Sequence, residues 1–265
     1  MTCAEAPECA ACALPMAGRN EGDGTYCERC VRSSARCVTC GRALPGNYWE
    51  VRGTSGMYCK SCTEEAPPCA SCQAPVRDGE LRDGRYFCRA CTSELLVEIA
   101  SFEAIYARAV ARIDETLGLV IKKLPRLVVE SAASMDRERT AEMTREGLCG
   151  LYVRDERGRT SIHVLSYLTE RKALAVLAHE LAHAWQVENC PDAQGPRLRE
   201  GFAEWVAWKA LEGIPDCLGE REIIESRSDE YGDGFRVFVE LEQTRGADGV
   251  LWYATSARTS LAATR

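Results

Sequence analysis

Ala178-His179-Glu180-Leu181-Ala182-His183-Ala184-Trp185 is a His-Glu-x-x-His string inside an apolar stretch of helical periodicity. Imidazoles four residues apart on a helix share a face, one turn above the other, so both can reach a single ion. Leu198-Arg199-Glu200-Gly201-Phe202-Ala203-Glu204-Trp205 follows on a second expected helix and places Glu200 and Glu204 on one face. Zinc takes nitrogen and oxygen ligands as a tetrahedron, and a catalytic site supplies three protein ligands and leaves the fourth position to water. His179, His183 and Glu200 would form such a set, with Glu204, one turn on, the other carboxylate in reach of the third place. The chain has 3 histidines, and two of them stand in this string, which weighs against a chance pair of buried structural histidines.

Glu180 sits one residue past the first ligand, so its carboxylate can lean toward the open metal position without filling it. There it can take a proton from a zinc-activated water and pass it to a leaving amine, acting as general base and then acid. The helix carrying these residues is expected to start near Thr169, a plausible cap, and to stop before Pro191. The second helix is expected from Arg199 to Leu211, closed by Gly213 and Pro215.

Cysteine usage settles the other end of the chain. Of 16 cysteines, most fall as Cys-x-x-Cys pairs before residue 92. They repeat in three units: Cys9, Cys12, Cys27 and Cys30; Cys37, Cys40, Cys59 and Cys62; Cys69, Cys72, Cys88 and Cys91. Each unit has a proline shortly after its first pair (Pro15, Pro45, Pro75), and a glycine and an aromatic precede each second pair. Such a pattern implies three structural four-cysteine zinc sites, each closing a ribbon with too few apolar residues to fold alone. Consecutive pairing of ligands is the default; an interleaved cross-brace fits the same spacing. Closed four-thiolate sites have no open position and no catalytic role.

With 33 basic and 40 acidic residues the chain is acidic overall. Four-thiolate zinc sites add negative charge, and a nucleic-acid reader normally shows a basic face, so protein contact is favoured over nucleic acid. No charged-then-apolar leader and no apolar run of about 18 residues is present, so no membrane span is expected. Paired cysteines then read as metal clamps in a reducing, cytoplasmic setting.

Residues 93–265 read as a second, α+β domain. Leu95, Leu96, Ile99, Phe102, Tyr106, Ile113 and Leu117 lie near helical spacing, predicting an amphipathic helix from Ser93 to Leu117 ended by Gly118. Leu124 to Val129 reads as a strand. Residues 131–147 read only as a loop or irregular helix. Leu151–Val153 and Ser161–Leu165 flank Asp155-Glu156-Arg157-Gly158 as a hairpin. His163 is read as a surface or packing residue, and Cys3, Cys149, Cys190 and Cys217 as small apolar or incidental thiols.

Glu230-Tyr231-Gly232-Asp233-Gly234-Phe235-Arg236 reads as a turn-rich string opening a helix from Phe235 to about Thr244. A phenol on a glycine-flanked turn could be brought over the metal to donate to an oxyanion, or could simply pack that turn.

Together the His-Glu-x-x-His helix and the Glu-Gly-Phe-Ala string resemble the gluzincin metallopeptidases. That resemblance makes Glu200, the glutamate before glycine, the third ligand, and leaves Glu204 to hold a ligand histidine from behind. The cysteine repeats look like LIM-type tandem zinc fingers, but with short connections and no histidine among the ligands. The whole series, through Tyr-Gly-Asp-Gly-Phe-Arg, is similar to the plant organ-size-regulating LIM peptidases, which are ubiquitin-activated and limit the duration of cell proliferation. The ubiquitin-interacting helices of that family have no counterpart before Cys9, so activation by ubiquitin is not carried over.

The expected architecture is therefore α+β. Residues 1–92 form three LIM-like four-cysteine zinc ribbons, and residues 93–265 a small gluzincin-like zinc peptidase domain with a short sheet. The expected function is an intracellular zinc metallopeptidase holding one catalytic and three structural zinc ions. Glu180 is its base, Tyr231 a candidate oxyanion donor, and the ribbons recruit a protein substrate or partner. The alternative is a zinc-finger adaptor whose peptidase-like domain only binds.

Overall fold

The computed structural model describes residues 7–16, 25–138 and 149–258. Within them the first cysteine pair of each repeat folds into the same knuckle. The Cys9, Cys37 and Cys69 amides donate to the carbonyls of Leu14, Arg42 and Ala74 at 2.9, 2.8 and 2.8 Å. The residue after each second cysteine, Ala13, Gly41 or Gln73, turns back with φ of 57°, 71° or 64° and donates to the first cysteine's carbonyl. Only one of the three is glycine, although the left-handed region favours it.

Short elements follow: α1 Glu28–Ser33, β1 Trp49–Glu50, β2 Met57–Tyr58, α2 Lys60–Glu65, β3 Gly79–Arg82, β4 Arg85–Cys88 and α3 Arg89–Thr92. β1 pairs antiparallel with β2, and β3 with β4 form a second two-stranded sheet. Cys27 and Cys59 occupy the positions just before α1 and α2, so each second pair begins a helical turn. The buried apolar cluster of this region is Cys37, Leu44, Tyr58, Cys59, Cys62 and Ala74. Half of it is cysteine, too little hydrocarbon to hold a fold without a metal or other cross-link.

The chain divides into two units, Met1–Glu80 with Tyr86–Arg89, and Leu81–Arg85 with Ala90–Arg265. The second continues as α4 Ile99–Leu117, β5 Arg126–Glu130, α5 Ala132–Glu138, β6 Gly150–Arg154, β7 Thr160–Leu165, α6 Glu170–Asn189, α7 Pro196–Ala210, α8 Leu218–Ser226 and α9 Glu230–Ser256. Its sheet has the order β5-β7-β6, with β7 parallel to β5 and antiparallel to β6. The expected hairpin is present. Asp155 accepts from the Arg157 and Arg159 amides, and Gly158 takes φ 73°. β7, which leads into α6, is central, and of the two edge strands it is β6 that packs against α6.

Two expectations are corrected and one is narrowed. The first helix begins at Ile99 rather than Ser93, because Leu95 bridges Thr169 and the Leu96 amide donates to the Leu168 carbonyl at 2.8 Å. Residues 131–147 include a helix, α5; residues 139–148 lie outside the described part. The string at Glu230 is the opening of α9 itself, capped by Asp229, whose carboxylate accepts from Gly232 N. That helix runs on to Ser256 through a break at Gly246, where φ is 69° and ψ 176°.

The glycines of that string serve close approach rather than a turn. A Cβ at Gly232 would lie 2.0 Å from the Arg227 carbonyl oxygen, and one at Gly234 would lie 2.3 Å from the Arg197 oxygen. Gly201 on α7 faces the same crossing, where an added Cβ would meet Gly234 Cα at 2.5 Å. The two backbones touch, and aromatics seal the crossing beyond: Phe202 stacks on Trp185 at 5.4 Å and meets Phe238 edge-on at 5.7 Å. α4 packs against α6 and α7 through Phe102, Ile105, Ala109 and Ile113, all buried.

Gly201→Ala is expected to cost roughly 1–3 kcal/mol, the usual penalty for overpacking a tight contact. Urea unfolding measures it, and a midpoint equal to wild type would contradict the backbone contact.

Candidate metal centre

α6 carries His179 and His183 on one face, and α7 crosses it with Glu200. The Nε2 atoms of the two imidazoles are 3.1 Å apart. Glu200 Oε2 lies 3.2 Å from His179 Nε2 and 3.3 Å from His183 Nε2. Ligand atoms at zinc bond lengths on a tetrahedron are about 3.3 Å apart, so the three atoms have the spacing of one face of such a site. They could hold a metal ion.

The electrostatics ask for a cation. Burial pushes the His179 imidazole toward the neutral form, yet the Glu200, Glu204 and Glu180 carboxylates raise it to about 9. Glu200 is opposed by burial but held well below the usual carboxylate range by His183 and His179. Two ring nitrogens and a carboxylate oxygen point at one spot, where a single proton cannot satisfy all three. A divalent ion can.

The far side of each imidazole is also engaged. His183 Nδ1–H donates to Gln186 Oε1 at 2.9 Å, and Gln186 Nε2 donates to the Arg199 carbonyl at 3.0 Å. This leaves Nε2 of His183 with its lone pair toward the cluster. His179 Nδ1 faces Glu204 Oε1 at 3.7 Å, and Glu204, only 4% exposed, accepts from Arg227 Nη1 at 2.5 Å. Gln186 escaped the sequence reading, although it lies one helical turn past His183. Arg227 escaped it because nothing local links it to Glu204 on α7.

Glu180 is 7% exposed, and its Oε2 accepts from the Tyr152 amide of β6 at 2.7 Å. Burial raises its carboxyl above the ordinary value. Gly150 makes room for it: a Cβ there would lie 2.9 Å from Glu180 Cγ and Oε1. Tyr231, on the first turn of α9, stands with its ring 6.4 Å from that of His179 and the Arg227 guanidinium 4.3 Å over its face.

The cysteines assemble with consecutive pairing as Cys9, Cys12, Cys27 and Cys30; Cys37, Cys40, Cys59 and Cys62; and Cys69, Cys72, Cys88 and Cys91. The Sγ atoms of Cys12 and Cys27, Cys40 and Cys59, and Cys72 and Cys88 are 3.8, 3.7 and 3.8 Å apart. Four sulfurs at zinc–thiolate bond length sit about 3.8 Å from one another, so the groups suit structural zinc. Amides help: Cys27 N donates to Cys9 Sγ at 3.2 Å, and Cys88 N to Cys69 Sγ at 3.4 Å. The Cys27 amide draws Cys9 down to about 6, while the crowded Cys27 and Cys12 thiols push Cys30 up to about 12. Without a cation the four cannot all ionise together.

His163 lies outside the metal set, bonded by Nδ1 to Glu130 Oε1 at 2.8 Å and by Nε2 to Ser161 Oγ at 3.0 Å. Cys149, Cys190 and Cys217 join no cysteine group among the described residues, and Cys217 is buried. Cys3 lies outside the described residues. No helix among those residues is long and apolar enough to cross a membrane. No family model, curated protein or solved structure matches the chain.

This geometry predicts four zinc ions per purified chain by elemental analysis, and three after the double change His179→Ala and His183→Ala. An unchanged count would remove the histidine site.

Proposed function

We propose that the chain is a zinc-dependent metallopeptidase of gluzincin type, akin to the LIM peptidases it resembles. One observation carries the reading. His179, His183 and Glu200 meet at tetrahedral spacing, and the buried carboxylate of Glu180, next to His179 in the chain, is bonded to the edge strand β6. A purely structural site would close its fourth position with another ligand, and a base beside it would serve no purpose.

A bound zinc ion would supply Lewis acidity, polarising a scissile carbonyl and making water easier to deprotonate. The protein supplies the rest. Glu180 takes the proton of the attacking water and returns it to the leaving amine. Burial raises its affinity for that proton, and a cation beside it would act in the opposite direction. Tyr152 N–H holds Oε2, so Oε1 is the oxygen assigned to proton transfer. The same amide identifies the outward side of β6 as the side that faces the base. An extended peptide added to that edge would run past the carboxylate.

Tyr231 is assigned to steady the developing oxyanion with its phenol, from the turn of α9 that faces His179. His183 enters the reaction oriented by its bond to Gln186, while Glu204 faces His179 Nδ1 at 3.7 Å and acts on that ring through its charge. The four-cysteine ribbons are assigned to recognition of a protein substrate or partner rather than nucleic acid, given the acidic charge balance. A reducing compartment would suit cysteines that serve as metal ligands rather than as disulfides.

Two variants test the reading on a panel of unfolded and folded protein substrates. Glu180→Gln should keep all bound zinc and lose roughly 10²–10⁴-fold in cleavage rate. Equal cleavage by both forms, or none from wild type, would favour a zinc-finger adaptor. Tyr231→Phe should slow turnover by about 10²-fold with little change in KM. A rate matching wild type takes Tyr231 out of the mechanism.

A further inference from the structure

Arg227 lies between α8 and α9, in none of the motifs that define the site, yet three separate features of the site meet on its side chain. Nη1 donates to Glu204 Oε1 at 2.5 Å, behind His179. Nη2 and Nε donate to the two oxygens of Asp229 at 2.8 and 3.3 Å, and Asp229 caps α9 through Gly232 N at 3.1 Å. The guanidinium plane covers the Tyr231 ring at 4.3 Å.

The backbone of Arg227 is held as firmly as its side chain. Arg236 Nη1 donates to the Arg227 carbonyl at 2.8 Å, and Gly232 lies so close that a Cβ there would stand 2.0 Å from the same oxygen. Arg227 is thus pinned to the first turn of α9 while its guanidinium reaches back to α7. Glu204 Oε1 is at hydrogen-bond distance from Arg227 but 3.7 Å from His179 Nδ1. The position of that carboxylate is set by the arginine first and by the histidine second.

We propose that Arg227 is a positioning residue of the metal centre, holding Glu204 behind His179 and Tyr231 beside it through one guanidinium. The inference rests on the reading of His179, His183 and Glu200 as a metal site. A lysine would keep the charge but not the function, since one compact ammonium cannot serve two carboxylates with a planar fork and also lie flat on a ring. Without the arginine, Glu204 remains buried with its strongest partner gone, and the outer support of a ligand histidine loosens.

The test measures zinc affinity at the histidine site by chelator competition, in the full chain with the cysteine sites loaded. Arg227→Ala should weaken the histidine-site ion by roughly 10–100-fold, the usual effect of losing an outer partner of a metal ligand. Arg227→Lys should recover only part of the loss. In a Glu204→Ala background the arginine change should add less than about twofold, because the arginine acts through that carboxylate. Should the alanine variant fail to fold, the lysine variant alone and on Glu204→Ala gives the same comparison.

Wild-type affinity in a folded Arg227 variant overturns the proposal, as does an equal loss with and without Glu204. A wild-type chain that takes up no ion at the histidines overturns the metal-site reading and the inference with it. Four ions in wild type with an indifferent Arg227 overturn the inference alone.

Discussion

Two imidazoles and a carboxylate aimed at one point, largely buried beside the Glu180 and Glu204 carboxylates, form the constraint on which the rest of the larger unit depends. Such a cluster is costly to bury without a cation, because burial penalises every ionised group in it. The surrounding fold is arranged to keep it together regardless. α6 supplies both histidines, and α7 brings Glu200 across at hydrogen-bond distance. α9 can approach α7 because Gly201 and Gly234 let their backbones touch. Gly201, which follows Glu200, is therefore as much a part of the cluster as the glutamate.

The ribbons solve a different problem with the same chemistry. Half of the residues in their apolar cluster are cysteine, so buried area supplies little of the drive to fold and bonds to a bound metal would supply the rest. The repeated knuckle, with a left-handed residue after each first pair, presents sulfurs at spacings suited to one ion. The second and third copies also share a small contact, Ala74 joining the Cys37, Leu44 and Tyr58 cluster.

The His-Glu-x-x-His helix and the cysteine groups were legible in the sequence because their geometry is local. Residues four apart on a helix share a face, and Cys-x-x-Cys closes on itself within a few residues. The hairpin at Asp155 was legible for the same reason. The opening of α9 was not. Gly232 and Gly234 carry the composition of a turn, but they are demanded by contacts with Arg227, Arg197 and Gly201, which the sequence does not place nearby. Leu95 and Leu96 continue a helical spacing into residues that instead run beside Leu168 and Thr169. Arg227 was invisible for a similar reason: its partners Glu204 and Tyr231 become neighbours only when α7 and α9 pack.

The most direct measurement is anomalous diffraction at the zinc edge from crystals of the intact chain. It should show a peak about 2.0–2.2 Å from Nε2 of His179, Nε2 of His183 and an oxygen of Glu200, with no fourth protein ligand. Density confined to the cysteine groups, or a peak at the histidines closed by Glu180 or Glu204 as a fourth ligand, would contradict an open catalytic centre.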